Sequence, residues 1–284
     1  MSLHRFSAFS FIDSITSIDS TGKIKGYFRI PSHLEFFPQS LVAEAIGQLA
    51  AWYAMSILEF KKRPVAALAS DTIYHSEARP GEILTLDATI ESCDSDLVSY
   101  SGRAISGDRL ALELIDCSGV MLPQEEFDDT NKVGEHFNLL KTIGAKENRL
   151  AMVPCVLATN IYPDVAGGLE ANLIIPKRAN FLADHFPNKP VFPATLLIYA
   201  LERMVIDQTN STASQAENRT VSVSAIRRVK VRSWIAPGAH VRLKAETLST
   251  EINTKLVKLT ANLGDKLVAS ALMDLVVTVS SLEP

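Results

Sequence analysis

The chain repeats itself, and that repeat limits its folds more than any other feature. FFPQSLVAEAIGQ from Phe36 lies over VFPATLLIYALER from Val191, 155 residues on, with proline, leucine and alanine in register. ARPGEILTLDATI (78 to 90) lies over IAPGAHVRLKAET (235 to 247), and GDRLA from Gly107 over GDKLV from Gly264, both 157 residues apart. Three nearly equal offsets describe one duplication, so the chain is expected to fold as two copies of one unit.

Each copy reads as an extended segment, a proline, a long apolar helix and then strands punctuated by Pro-Gly and Gly-Asp turns. SVSAIRRVKVRSW alternates, which places Arg228, Lys230 and Arg232 on one strand face and Val229 and Val231 on the other. KLVASALMDLVVTV is mostly apolar and is expected to lie inside a sheet. The order predicts an α+β fold in which each half is a long central helix wrapped by a bent antiparallel sheet. The first half is assigned to residues 1–122, a polar linker to 123–149 and the second half to 150–284. Within the linker, HFNLLKTI is read as a short helix.

Bulk properties narrow the partners. The net charge of -4, from 28 basic against 32 acidic residues, gives no global attraction to nucleic acid or to an anionic membrane. Cys93, Cys117 and Cys155 are widely spaced and form no CxxC pair, so neither a disulfide framework nor a zinc site is expected. The N-terminus lacks a secretion pattern, and a reducing cytoplasm is the expected location. LVAEAIGQLAAWYAMSIL (41 to 58) approaches the length of a membrane span but carries Glu44. A charge at mid-span costs on the order of 3 kcal/mol, so this run is expected to be a buried helix of a globular domain.

The stretch HFPNKPVFPATLL sets a histidine and three prolines at fixed spacing before the second long helix. It resembles the hotdog-fold 3-hydroxyacyl-(acyl carrier protein) dehydratases, marked by His-Phe-Pro-Gly-x-Pro-x-x-Pro-Gly and a helix. His185, Phe186, Pro187, Pro190 and Pro193 match, while Asn188 and Ala194 stand where the family usually has glycine. The family's catalytic carboxylate, fourteen residues after the histidine, is here Tyr199. In the first copy the same position is Glu44, followed by Gln48 in the family's Glu-x-x-x-Gln pattern, but the offset puts Ile30 where the histidine would be.

Family members are dimers whose sites take histidine from one subunit and acid from the other. The resemblance therefore implies a fused double hotdog with one complete site, His185 with Glu44, and a dead mirror site of Ile30 with Tyr199. It implies dehydration of a 3-hydroxyacyl thioester on acyl carrier protein to the trans-2-enoyl thioester. His185 would be the base, oriented by the Val191 carbonyl and titrating near neutrality. Glu44 would be the acid, its pKa raised by apolar neighbours and supported by Gln48, and the Ala194 N–H would receive the oxyanion. His33 could replace the missing histidine if the first copy's loop is shortened.

No metal or organic cofactor is implied beyond the substrate's phosphopantetheine. Arg228, Lys230 and Arg232 are candidates for carrier docking. Further assembly of pseudo-dimers into homo-oligomers stays open. The alternatives are a hotdog acyl thioesterase and a non-catalytic acyl-binding or scaffolding protein.

Overall fold

The computed structural model describes residues 5–146, 149–164, 167–212 and 219–279. The first half runs β1 (Ser14–Ile18), β2 (Lys23–Arg29), α1 (Gln39–Ile57), β3 (Lys62–Tyr74), β4 (Ile83–Cys93), β5 (Leu97–Ser106) and β6 (Arg109–Pro123). After α2 (Thr130–Thr142) come β7 (Thr159–Pro163), β8 (Leu169–Ile174), α3 (Asn180–Asp184), α4 (Ala194–Thr212), β9 (Arg219–Val231), β10 (His240–Thr250), β11 (Thr254–Leu263) and β12 (Lys266–Val279).

All the strands join one antiparallel sheet in the order β1-β2-β4-β5-β6-β3-β9-β12-β11-β10-β8-β7. Read inward from either edge, the connectivity is the same, and β3 meets β9 in the middle. Across that seam Thr72 pairs with Ile226 and Ala69 with Val229. Arg227 on β9 bridges Asp71 on β3 and Asp274 on β12, so one guanidinium ties three central strands. As its composition predicts, β12 is interior.

Helix α1 begins after Pro38, whose extended backbone (φ -63, ψ 142) holds the N-cap. The helix is apolar nearly all round because it is covered nearly all round: β2 to β6 lie on one side, α2 and α4 on the others. No helix of the described residues is long and apolar enough to cross a membrane. The linker helix is longer than its predicted core. Asp129 caps it by accepting from the Lys132 N–H at 3.1 Å, and Val133, Phe137 and Leu140 form its buried stripe.

One glycine is required where sheet and helix touch. At Gly102 on β5 an added Cβ would lie 2.4 Å from Ile46 Cγ2 and 2.8 Å from the Asp87 carbonyl oxygen. Gly102→Ala should therefore destabilise the protein by about 1–3 kcal/mol, the usual penalty for overpacking. It should appear as a lower urea midpoint at unchanged slope; an unchanged midpoint would mean that α1 is not seated on β5 at that contact.

Candidate active site

The His185 loop is shaped by its own backbone. After α3 the chain turns so that the Val191 N–H donates to the His185 carbonyl at 3.1 Å, while His185 Nδ1 lies 3.2 Å from the Val191 carbonyl oxygen. A carbonyl can only accept, so the proton sits on Nδ1 and the Nε2 lone pair is left for chemistry. The ring is stacked on Phe186 (centroids 4.0 Å apart) and met edge-on by Phe9 (5.1 Å). Asp184 holds the N-terminal arm against it, accepting from the Phe6 and Phe9 N–H groups at 2.5 and 2.9 Å.

Burial, with a smaller contribution from the Arg63 guanidinium, pushes the imidazole down to about 4, against the opposing pull of the Val191 hydrogen bond. The expectation of titration near neutrality is thus corrected: the protein desolvates this ring and sets a cation near it. His185 is a neutral acceptor throughout the physiological range.

Glu44 lies on α1, one turn before Gln48. Gln48 Nε2 donates to Glu44 Oε1 at 2.9 Å and is itself fixed through the Phe9 carbonyl and the Phe11 N–H. From the other half, Thr195 Oγ1 donates to Glu44 Oε2 at 2.8 Å. Burial raises the carboxyl's pKa, while the Gln48 and Thr195 bonds lower it by stabilising the charged form. Burial is the largest of these effects, as the apolar flanks of Glu44 suggest.

His185 and Glu44 line one cavity of about 260 Å³ beneath the β3–β9 seam. Its walls also include Gln48, Val191, Ala194 and Thr195. Ala194 opens α4, and its N–H has no acceptor among the described residues, as expected of a first-turn amide. Val229 and Val231 line the cavity, whereas Arg228 and Lys230 on β9, and Arg232 just after it, are exposed. Arg232 additionally donates to Ser270 Oγ at 2.9 Å. Among the described residues, no cluster of three or more metal-ligating side chains occurs.

Three contributors lay outside the sequence reading: Thr195, Asp184 and Arg63. Arg63 lines the cavity at the start of β3, with its guanidinium 4.5 Å above the Phe186 ring and Nη1 buried without a hydrogen-bond partner among the described residues. The spacing of the His-Phe-Pro motif carries no signal for these residues. They act through contacts between distant segments.

The mirror position also differs from expectation. Ile30 donates its N–H to Glu82 O and accepts from the Gly81 N–H; Ile175 does the same with Ala239 and Gly238, 157 residues further on. Ile30 is therefore the counterpart of Ile175, not of His185. From that isoleucine to the helix-opening proline the first copy has nine residues (30 to 38) and the second nineteen (175 to 193), so the histidine loop is absent and not substituted. His33 does not replace it: the ring is exposed and bonds to the Ala151 carbonyl at 3.2 Å. Tyr199, in the acid's place on α4, stacks against Phe36.

A family model described as ApeI-like, ApeI dehydratase, matches residues 165–270, which include His185 and α4. The chain is 27% identical over 156 residues to the 3-hydroxyacyl-(acyl-carrier-protein) dehydratase FabZ of Granulibacter bethesdensis, covering 53% of this chain and 88% of that protein. It is 30% identical over 119 residues to FabZ of Thermoanaerobacter sp. strain X514, covering 38% and 83%. The match to FabZ of Levilactobacillus brevis spans 61% of that protein's length. In structure, the chain superposes on a Lactobacillus plantarum protein described as an oleoyl thioesterase, with TM-score 0.61, 8% identity and coverage of 90% and 97%. At that identity the likeness concerns the fold alone, which is the hotdog fold of a long helix laid on an antiparallel sheet. Together with the His-Phe-Pro motif and the helix that follows it, these similarities identify the chain as a member of the hotdog-fold 3-hydroxyacyl-(acyl carrier protein) dehydratase family.

Proposed function

We propose that this chain is a double hotdog that dehydrates a 3-hydroxyacyl thioester on acyl carrier protein to the trans-2-enoyl thioester, at one site shared between its halves. The observation that carries this reading is the single cavity lined both by a histidine whose Nδ1 is held by the Val191 carbonyl and by a buried carboxyl whose pKa is raised by burial. His185 Nε2 takes the proton from C2, and the electron pair moves toward the thioester carbonyl. The developing oxyanion is met by the Ala194 N–H and the positive end of α4. The C3–O bond then breaks, Glu44 gives its proton to the departing hydroxyl, and water leaves.

The steps balance with side chains and backbone alone; the phosphopantetheine arrives with the substrate. Holding the tautomer through Val191 and the carboxyl through Gln48 and Thr195 keeps both groups oriented before substrate arrives. The halves correspond to 1–122 and 150–284, with 123–149 joining them.

Supplied with 3-hydroxyacyl and enoyl carrier-protein thioesters, the protein should interconvert them without releasing thiol; thiol release with no enoyl product would establish a thioesterase instead. His185→Ala and Glu44→Gln should each lower turnover by about 10²- to 10⁴-fold. Retained dehydration in both would overturn the shared site.

The pH profile follows from the two shifts. His185 works only when neutral, so kcat/KM should hold until pH falls through about 4. Glu44 works only when protonated, so the rate should decline on the alkaline side as its raised pKa is passed. NMR titration of the His185 ring should read near 4, and Arg63→Met should raise it by removing a nearby positive charge; an ordinary value of about 6.5 would mean a solvated ring.

Arg228, Lys230 and Arg232 fit an acidic carrier, because they are exposed on the strand whose inner face lines the cavity. Charge reversal at Arg228 and Lys230 should raise KM several-fold more for carrier-bound substrates than for pantetheine thioesters. Equal effects on both would remove the docking role.

A further inference from the structure

Counting donors and acceptors around Glu44 gives its two oxygens different roles. The Phe11 N–H can only donate, and it meets Gln48 Oε1 at 2.9 Å; the Phe9 carbonyl can only accept, and it meets Gln48 Nε2 at 3.1 Å. Between them they hold the Gln48 amide one way round. Phe9 is itself tied to the second copy, its N–H donating to Asp184 at 2.9 Å. Gln48 Nε2 is therefore the atom turned to Glu44 Oε1, at 2.9 Å, and an amide NH₂ group donates without accepting. A proton carried on Oε1 would point at a group unable to receive it. Oε2 instead faces Thr195 Oγ1 at 2.8 Å, a hydroxyl that accepts as well as donates. When Glu44 is protonated, its proton belongs on Oε2.

The duplication supplies a control. Thr195 is the second residue of α4, and Ser40, 155 residues earlier, is the second of α1. In the place of Glu44, α4 carries Tyr199, and the Ser40 Oγ has no hydrogen-bond partner among the described residues although Ser40 is only 2% exposed. A helix of this kind can therefore start without a bond from that hydroxyl, and the Thr195 bond goes with the acid. Thr195 also follows Ala194 directly, and both line the cavity. Oε2 is thus turned to the copy that supplies His185 and the Ala194 N–H, while Oε1 is turned to Gln48.

We propose that Thr195 is a positioning residue for the acid, holding the proton of Glu44 on Oε2 at the start of α4 and stabilising the carboxylate once that proton has gone. The inference rests on the dehydratase reading of the site. Before transfer, the Oε2–H bond points at Thr195 Oγ1. On transfer that bond breaks, the proton joins the departing hydroxyl as water, and the bonding pair stays on Glu44 as carboxylate. The Thr195 hydroxyl then turns and donates to it, which costs only a rotation about its own C–O bond. One hydroxyl therefore serves both protonation states of the acid, as a fixed donor such as Gln48 Nε2 does not.

The test pairs Thr195→Val, of nearly the same shape without the hydroxyl, with Thr195→Ser, which restores it. Valine should lower kcat by about tenfold to 10²-fold, the loss expected when a reacting group is misplaced, and serine should recover most of it. The Thr195 bond favours the carboxylate, so its loss should raise the Glu44 pKa and carry the alkaline limb of the pH profile upward. Loosening of the cavity would do the opposite, because admitted water relieves the burial that raises this pKa. Arg63, Tyr74, Tyr100, Cys117, Asp184 and His185 are the other ionisable side chains of the cavity wall, and Thr195 Oγ1 bonds to none of them, so the limb it moves is that of Glu44. A valine variant with wild-type kcat, or with a limb that stays or moves down, would overturn the inference, as would a serine variant no better than valine. If wild type dehydrates nothing, the dehydratase reading has failed, and NMR titration of the isotopically labelled Glu44 carboxyl in the free protein decides the Thr195 role separately. Its pKa should be higher in Thr195→Val than in wild type and Thr195→Ser; equal values in all three would overturn the inference on its own.

Discussion

Everything at the site depends on the antiparallel pairing of β3 with β9. That seam joins two half-sheets into one continuous sheet and sets α1 and α4 face to face beneath it. Without it, Glu44 and His185, from different copies of the repeat, would have no common cavity. The Arg227 bridge to Asp71 and Asp274 reinforces the seam on its outer side, where partly exposed ion pairs add little energy but define register. On the inner side the Thr195–Glu44 bond reports the same geometry, since it joins the first turn of α4 to the second turn of α1.

Desolvation then does most of the electrostatic tuning, and it acts on the two partners in opposite senses. It disfavours imidazolium, which pushes the His185 pKa down, and it disfavours carboxylate, which pushes the Glu44 pKa up. A solvated pair of the same residues would tend toward the charged forms near neutrality, with the acid spent and the base partly protonated. Arg63 sharpens the histidine side as a buried cation that stacks on Phe186. Water exclusion here is therefore part of the acid–base assignment, beyond its effect on the strength of each hydrogen bond.

Much of this was legible in the sequence, for a physical reason: duplication turns a long-range question into a local comparison. The equivalence of helix starts at Pro38 and Pro193 points to Glu44, which lines the same cavity as His185, and β alternation separates Arg228, Lys230 and Arg232 from Val229 and Val231. A fixed offset fails where a loop changes length, so it aligns Ile30 with His185 when the hydrogen bonds align it with Ile175. The arm held by Asp184, the Thr195 clasp and Arg63 arise from segments that meet only in the folded state, with no periodicity to announce them. The histidine's depressed pKa belongs to the same class, because desolvation is a property of the assembled cavity.

On the double-hotdog reading, fusion of the two copies lets such a cavity become chemically lopsided. In a symmetric dimer, each substitution appears in both subunits. A tyrosine–carboxyl pair introduced beside one long helix would also appear beside its mate, close to the histidine and glutamate there. Once the two copies share one chain, Glu202 can stand opposite Gly47, and Tyr74 opposite Val231, without disturbing the chemistry around Glu44. The shortened loop at 30–38 removes the mirror histidine altogether, and Tyr199 removes the mirror acid. On the proposed reading no reaction is left to support there, so Tyr74 and Glu202 answer to packing and to their own hydrogen bond.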